Sequence, residues 1–536
     1  MTYSFAASLR TQASKIGDRV AVRSGESTRT YSELLTSSAR VGQALIADGV
    51  VPGDRVAYIG RNRVEYPEVM CGVSMARAAL VGVNWRLSVS EMTHVLNDSA
   101  PRVAIVDSEF VHVAAEACAA AGIKRIVVIG ADGDGGTGDG GTGDGVIGDG
   151  VIGDGVTDYA GWAAAQEAVD PGLEPQPDDI AILMYTSGTT GRPKGVILPN
   201  SSIGANLALP TPWTWGPGSV VLVVSPVFHT AGTGWTYLGL DRGAEVVLVG
   251  DPTPAEILRC IAEHRVTHAL LVPALIYMLL QSPALATSDL SSMVMVVYGA
   301  SPITTSVLEG ALKVFGCDFV QAYGMTETGG PVTYLLPADH VRGLNDPALL
   351  RSAGRPIDGI EVGVFDPHAV APSSADRLRD GDVGEVWTRS KQNTPGYWRN
   401  HDASALLTTP DGWLRTGDAG YIETGYLYLT DRINDMIISG GENVYPAEVE
   451  NVLASHPLVS EAAVVASPHP QWGETVKAFL VVHRGQGSEL DPAEVIAFCR
   501  DRLAHYKCPT LIEVVEELPR NPAGKVLRRL LRDRPA

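Results

Sequence analysis

No C-x-x-C pair occurs among the six cysteines, Cys71, Cys118, Cys260, Cys317, Cys499 and Cys508. Their scatter matches neither a disulfide framework nor zinc-ligand spacing, so reduced and mostly buried thiols are expected. A long apolar run is also missing. The longest, Ala269 to Leu280, is interrupted by Pro273 and falls well short of the roughly 20 residues that cross a bilayer. The opening MTYSFAASLRTQASKIGDR has no apolar core of the signal-peptide kind. These absences predict a cytoplasmic protein without a transmembrane segment. Basic charge is scarce too, with 41 Lys and Arg against 61 Asp and Glu for a net charge of −20. That balance excludes bulk attraction to nucleic acid or to an anionic membrane. Any phosphate chemistry must come from local basic groups and backbone N–H donors.

What the chain does have is length and apolar content. Its 536 residues are 45% hydrophobic and 19% charged, enough for roughly two to four domains with full-sized cores. The early chain alternates helical and extended patterns. Leu34, Val41 and Leu45 fall on one helix face, with Ser32 as the expected cap and Gly49 as the stop. The apolar strand Arg55–Ile59 follows the turn Pro52-Gly53-Asp54, and similar helix-then-strand units recur at Glu256–Val272 and Ser306–Val320. Continuous apolar strands separated by helices predict α/β layers on a largely parallel sheet.

One segment breaks this texture. From Gly136 to Gly155 the chain reads GTGDG-GTGDG-VIGDG-VIGDG. Its period of five differs from the nine of calcium-binding β-helices. The ordering entropy of glycine argues instead for a flexible surface insertion over 132–158, whose removal is expected to leave activity nearly unchanged. That stretch carries seven Asp and no basic residue, so part of the acidity belongs to a loop.

After about Val362 the pattern turns to short strands and turns at 384–390, 412–418 and 420–432, which predicts a small antiparallel β subdomain. From Arg432 an α+β unit is expected, with strands Met436–Ile438, Glu461–Ala466 and Val476–Val482 and helices Pro446–Ala454 and Pro492–Leu503. The principal boundary is placed at Asp431–Arg432, separating 1–431 from 432–536.

The richest chemistry lies in Tyr185-Thr186-Ser187-Gly188-Thr189-Thr190-Gly191-Arg192-Pro193-Lys194-Gly195, after the apolar strand Ile180–Met184. Three glycines, five hydroxyls and a lysine in eleven residues make a loop suited to polyanions. Glycine lets the backbone approach phosphate oxygens, and hydroxyl and N–H groups replace their water. The Walker pattern fails, because Arg192-Pro193 follows Gly191.

This segment resembles the phosphate loop of the acyl-adenylate-forming superfamily, which comprises acyl-CoA synthetases, peptide-synthetase adenylation domains and firefly luciferases. The resemblance continues in order through Pro226-Val-Phe-His229, Tyr298-Gly-Ala-Ser301, Tyr323-Gly-Met-Thr-Glu327, Gly412-Trp-Leu-Arg-Thr-Gly-Asp418, Asp431-Arg-Ile-Asn-Asp435, Ser439-Gly-Gly-Glu-Asn-Val-Tyr-Pro446 and Gly524-Lys525. It implies two α/β subdomains and a β subdomain, followed by a mobile α+β C-terminal domain.

The resemblance also implies roles. Thr186, Ser187, Gly188, Thr189, Thr190, Gly191 and Lys194 would hold the leaving pyrophosphate of ATP. Thr326 would bind the α-phosphate and Glu327 a Mg²⁺ ion, a hard cation suited to carboxylate and phosphate oxygens. Asp418, expected in a tight turn, would accept the ribose hydroxyls with Arg432 in support. Gly299, Ala300 and Ser301 would flank adenine, Tyr323 would stack on it, and Gly324 and Met325 complete the nucleotide segment. His229 would gate the acid from ATP, with Thr233, Trp235, Gly299, Gly324 and Met325 beside the acyl group. Trp213 and Trp215 lie in segments that could also border it. Lys525 would bridge acid and α-phosphate. Ser439, Gly440, Gly441 and Glu442 would line a pantetheine tunnel, since glycine suits a channel where backbone passes close to a thin ligand. Arg86 and Trp472 are weaker CoA candidates. Asn434 would be the hinge.

The expected activity is that of an ATP-dependent acyl-CoA synthetase using a small carboxylic acid, ATP, Mg²⁺ and CoA, with a homodimer open as its assembly. Two rivals stand: loading of a separate carrier protein, and a catalytically dead nucleotide-binding homologue. Cys508 and Thr510 occupy positions where some relatives are basic, which bears on the nucleotide end of CoA. The acid itself is not readable from the sequence, although the tryptophans would suit a bulky apolar or aromatic one.

Overall fold

Thr30, rather than Ser32, caps the first long helix, Tyr31–Ala47. Its hydroxyl accepts from the Glu33 N–H while the Glu33 carboxylate accepts from the Thr30 N–H, so two orphan donors are satisfied together. Asp48 and then Gly49, at φ +80°, end the helix. The structure is a computed structural model. It describes residues 2–130, 146–147, 150–151, 156–187, 193–301, 303–367, 369, 372–432, 435, 437–439, 442–469, 472–483, 490–520 and 526–534.

The chain divides into two units, Met1–Glu361 with Thr388–Leu414, and Val362–Trp387 with Arg415–Ala536. In the first unit, one sheet orders its nine described strands as Arg355–Pro356, Gly330–Leu335, Asp318–Met325, Met295–Gly299, His268–Leu271, Val220–Val223, Glu245–Leu248, Val20–Ser24 and Ser27–Thr30. The strands from Asp318–Met325 to Val20–Ser24 run parallel. They are apolar because helices cover them: Val247, Ile257, Ile276, Val296, Leu308 and Phe319 share one buried cluster.

The second sheet orders Pro193–Pro199, Ile180–Ser187, Ala79–Gly82, Arg55–Ile59, Val103–Asp107, Arg125–Ile129 and Val156–Asp158. All but the first pair in parallel, and Pro193–Pro199 closes one edge as the antiparallel arm of a hairpin. The Gly/Asp repeat falls between the parallel neighbours Arg125–Ile129 and Val156–Asp158. It lies outside the described residues apart from the antiparallel pair Val146–Ile147 and Gly150–Val151.

The second unit holds a four-stranded sheet, Glu361–Phe365, Gly384–Arg389, Leu414–Glu423 and Tyr426–Arg432. It also holds a five-stranded sheet built on the long hairpin Val459–His469 and Gly473–Val482, with helix Pro446–Ala454 on the core of Ile437, Val449, Val464 and Ala478. The sequence-expected boundary at Asp431–Arg432 falls inside this unit, at the end of strand Tyr426–Arg432.

Candidate active site

Each α/β sheet of the first unit contains a strand where the chain order reverses. Val220–Val223 is flanked by Glu245–Leu248 on one side and His268–Leu271 on the other. Arg55–Ile59 is flanked by Ala79–Gly82 and Val103–Asp107. Helices leaving such a strand on opposite faces open a crevice beyond its carboxyl end, which is where open α/β sheets bind ligands. The two crevices meet through Asn62. Its buried amide donates to the carbonyls of Val223 and Ser225 at 3.3 and 3.0 Å and accepts from the Val227 N–H at 3.0 Å.

Ser225 to His229 run off the carboxyl end of Val220–Val223, and Gly299–Ser301 and Met325–Glu327 sit at the same end of two nearby strands. A direct bond joins two of these segments: the Thr230 hydroxyl, first in the helix that His229 caps, donates to the Thr326 hydroxyl at 3.0 Å. His229 is largely buried, and its Nε2 has no hydrogen-bond partner among the described residues. Burial, helped by Arg86, holds this imidazole down at about 4, so it is neutral at ordinary pH.

Thr186 and Lys194 are cross-strand partners in the hairpin Ile180–Ser187 and Pro193–Pro199, so the phosphate-loop candidates at its arms stand on strands rather than in a loop. Gly188, Thr189, Thr190 and Gly191 lie outside the described residues. Segment 392–398 straps this hairpin to the Glu327 turn. The Ile197 N–H donates to Gly396, the Trp398 N–H to Gly195, and the Thr394 N–H to Glu327. The Tyr397 hydroxyl donates to buried Glu327 Oε1 at 3.0 Å, while Lys194 Nζ lies 5.2 Å from the Tyr397 ring centroid. Tyr397, Thr230 and Asn62 were not singled out from the sequence. Tyr397 lies 70 residues from Glu327, and no local pattern signals such a pairing.

The glycines of the site have a cause in the fold itself. A Cβ on Gly299 would stand 2.2 Å from the Ala322 carbonyl oxygen, and one on Gly324 would stand 2.4 Å from that of Gly330. Close strand packing demands both, whatever ligand lies beside them. Ala300, by contrast, holds φ +66° without being glycine, a strained angle of the kind that collects at ligand sites. Ser301 follows it, half-buried.

Of the acyl-side candidates, Thr233 is buried, its hydroxyl 2.6 Å from that of Tyr66 and donating to the Val227 carbonyl. Trp235 packs edge-on against Trp213 and Trp215 at 5.4 and 4.5 Å. Met325 accepts from Thr328 through its carbonyl, and Tyr323 is half-buried opposite Thr333.

In the second unit, Asp418 is not in a turn between strands. It lies within strand Leu414–Glu423, buried, directly opposite Arg432 in register. The turn signature was real but local: Gly417 adopts φ +70° and the Asp418 N–H donates to the Thr416 hydroxyl at 3.1 Å, a kink inside a strand. Ser439 is buried and pairs with both Glu442 and Gly473. That pairing brings it near Trp472, which is 41% exposed and stacked on His469 at 4.3 Å. Asn434, Gly440, Gly441 and Lys525 lie outside the described residues. Arg86 belongs to the first unit, its guanidinium 4.2 Å from the Trp85 ring centroid.

The donor set suits Mg²⁺. Among the described residues no cluster of three or more His, Cys, Asp or Glu could cage a metal. A single buried carboxylate is what a cation needs when it keeps its waters and takes its other ligands from substrate phosphates. No described helix is long and apolar enough to cross a membrane.

Comparison with known proteins agrees with this geometry. Residues 9–398 match the AMP-binding enzyme family, and residues 448–525 match the AMP-binding enzyme C-terminal domain. The chain is 38% identical over 514 residues to a fatty acid–[acyl-carrier-protein] ligase of Streptomyces coeruleorubidus, covering 95% of this chain and 92% of that protein. It is 35% identical over 527 residues to a feruloyl-CoA synthase of an Amycolatopsis species, covering 96% and 95%. The ATP-bound MatB structure from Rhodopseudomonas palustris superposes with a TM-score of 0.83 at 26% identity, covering 98% of each chain. With crevice, strap and both halves of the chain accounted for, this protein belongs to the AMP-binding family, the AMP-forming acid–thiol ligases of the acyl-adenylate-forming superfamily.

Proposed function

We propose that the chain is an ATP-dependent acyl-CoA synthetase working in two steps. A carboxylate oxygen attacks the α-phosphorus of ATP, the bond to the bridging oxygen breaks, and pyrophosphate leaves. The thiol sulfur of CoA then attacks the acyl carbonyl, AMP leaves, and the thiol proton passes to solvent. The first step brings an anionic nucleophile to an anionic triphosphate, and counter-charge aimed at that point is its main requirement. The observation that carries the reading is the convergence of Thr326, Glu327 and Lys194 on one crevice edge, through Thr230 and Tyr397. Mg²⁺, held by Glu327, would neutralise phosphate charge. Thr186 and Lys194 would hold the pyrophosphate, and His229, neutral and with Nε2 unpartnered among the described residues, would stand between acid and nucleotide. Asp418 and Arg432 would bind the ribose, and Lys525 would bridge acid and α-phosphate. The boundary at Asp431–Arg432, with its pivot at Asn434, would exchange Lys525 for the Ser439–Glu442 hairpin between steps. Its substrates ATP and CoA suit a cytoplasmic location.

A carrier-protein thiol is the second reading, and three observations favour it. Lys507 is paired with Glu448 at 2.7 Å, Cys508 is buried, and Thr510 lies 2.7 Å from Thr475. None of the three is poised to take a nucleotide phosphate. A panel of acids assayed for pyrophosphate release, with CoA, with a phosphopantetheinylated carrier protein, and with neither, separates the readings. Acid-dependent pyrophosphate release with thioester formed on CoA is expected. Release without CoA thioester across the panel would reject the synthetase reading, and thioester on the carrier alone would select the second.

A further inference from the structure

Lys194 and Glu327 carry opposite charges on neighbouring segments, yet no ion pair within 4 Å forms between them among the described residues. What stands between them is Tyr397. Its ring faces the Lys194 ammonium at 5.2 Å, and its hydroxyl occupies one oxygen of Glu327 at 3.0 Å. Its backbone is fixed at both ends: Gly396 accepts from Ile197, Trp398 donates to Gly195, and Val196 bridges Tyr397. Trp398 Nε1 and Arg399 both donate to the Asp98 carbonyl, at 3.0 and 3.2 Å, anchoring the strap to helix Val89–Ser99, which packs on the second sheet. A direct Lys194–Glu327 pair would cancel the two charges that an incoming Mg²⁺–triphosphate has to meet. We propose that Tyr397 is a positioning residue that holds these charges apart and aims Glu327. Its hydroxyl orients the carboxylate and its π face parks the ammonium. This rests on the reading that Lys194 meets ATP phosphates and Glu327 the divalent cation.

Calorimetric binding of ATP, first in EDTA and then with Mg²⁺, reads the two functions separately. Tyr397→Phe keeps the ring and loses the hydroxyl. Its metal-free ATP affinity should stay within about twofold of the unaltered protein, while the gain on adding Mg²⁺ falls about tenfold, as for a lost hydrogen bond to a charged group. Pyrophosphate release should show the same split: half-maximal Mg²⁺ rises about tenfold, and the rate at saturating Mg²⁺ recovers to within about twofold. Tyr397→Leu, which removes the ring as well, should lower metal-free affinity too. A Tyr397→Phe protein with its full Mg²⁺ gain, at whatever thermal stability, overturns the proposal. Glu327→Gln separates the failures. If it also keeps the gain, the metal reading of that carboxylate fails and the role of Tyr397 with it. If it alone loses the gain, only Tyr397 is at fault.

Discussion

The two α/β layers of the first unit end their reversing strands in opposite ways. Beyond Arg55–Ile59 the charges are spent: Arg61 forks onto Glu109 at 2.6 Å, Arg63 pairs with Asp107 and Glu65 at 3.2 Å, and Trp85 stacks on Phe110 at 4.6 Å. Beyond Val220–Val223 and its neighbours they are held in reserve. Among the described residues His229 Nε2 lacks a partner and Glu327 gives only one oxygen to a protein donor, and Ala300 is strained. Buried polar groups normally find partners, and the exceptions need a reason. Of these two strand ends, only that of Val220–Val223 and its neighbours shows, among the described residues, an unpartnered imidazole nitrogen beside a strained backbone angle, which agrees with the role proposed for it.

The sharpest test of this contrast removes one carboxylate from each layer. Glu327→Gln should slow acyl-AMP formation by about 10²–10³, the usual loss for one group aimed at transition-state charge. Glu109→Gln, in an exposed ion pair, should change it less than about threefold. Pyrophosphate release measured on both proteins checks this, and comparable losses would erase the distinction. Asn62 joins the layers, so Asn62→Ala should destabilise the first unit by about 1–3 kcal/mol by leaving the buried Val227 N–H unpaired. Urea unfolding measures the loss. Asn62→Asp, which keeps that acceptor but sets a buried carboxylate oxygen against the Val223 and Ser225 carbonyls, should cost at least as much.

Protons probe the layer of Val220–Val223 more gently. His229 and His268 are both held by burial at about 4, below the ordinary 6.5. Between these values the unfolded chain binds protons that the native one does not. Stability is therefore full above about pH 6.5 and lost as pH falls toward 4, by at most about 1.4 kcal/mol per pH unit per histidine. His268→Gln should flatten that slope in denaturation curves taken from pH 7 to 5. Adenylation by the unaltered protein should show no His229 inflection in the same range.

The smallest effect concerns the repeat, whose expected dispensability the fold qualifies. Arg125–Ile129 and Val156–Asp158 are parallel neighbours, and a parallel pair needs a crossover of about a dozen residues or more. Excising Gly136–Gly155 leaves only Gly130–Gly135 for the return. It should loosen the anchors from Tyr159 to Glu68 and from Trp162 to Asp48, both 2.9 Å, lowering the thermal midpoint by about 2–4 °C. Excising Gly136–Gly145 alone should leave midpoint and rate unchanged.

Strand Arg55–Ile59 and helix Pro446–Ala454 were readable to the residue, because apolar runs and proline positions are local signals. Asp418 misled for the same reason: its Thr-Gly-Asp context carries turn chemistry, and only the pairing with Tyr426–Arg432 makes it strand. The residue types of the site were legible as motifs. Their joints, Asn62 to Val227, Thr230 to Thr326 and Tyr397 to Glu327, were not, because each spans 70 to 165 residues of chain through a single polar contact.

By itself, the sequence determined the layer type, the order of the chemical groups and the family, since periodicity and motif spacing are written in adjacent residues. Which of two alike strand ends keeps its charges unspent was decided by tertiary structure alone. Whether a carboxylate or an ammonium is already paired depends on what the fold carries to within about 3 Å of it.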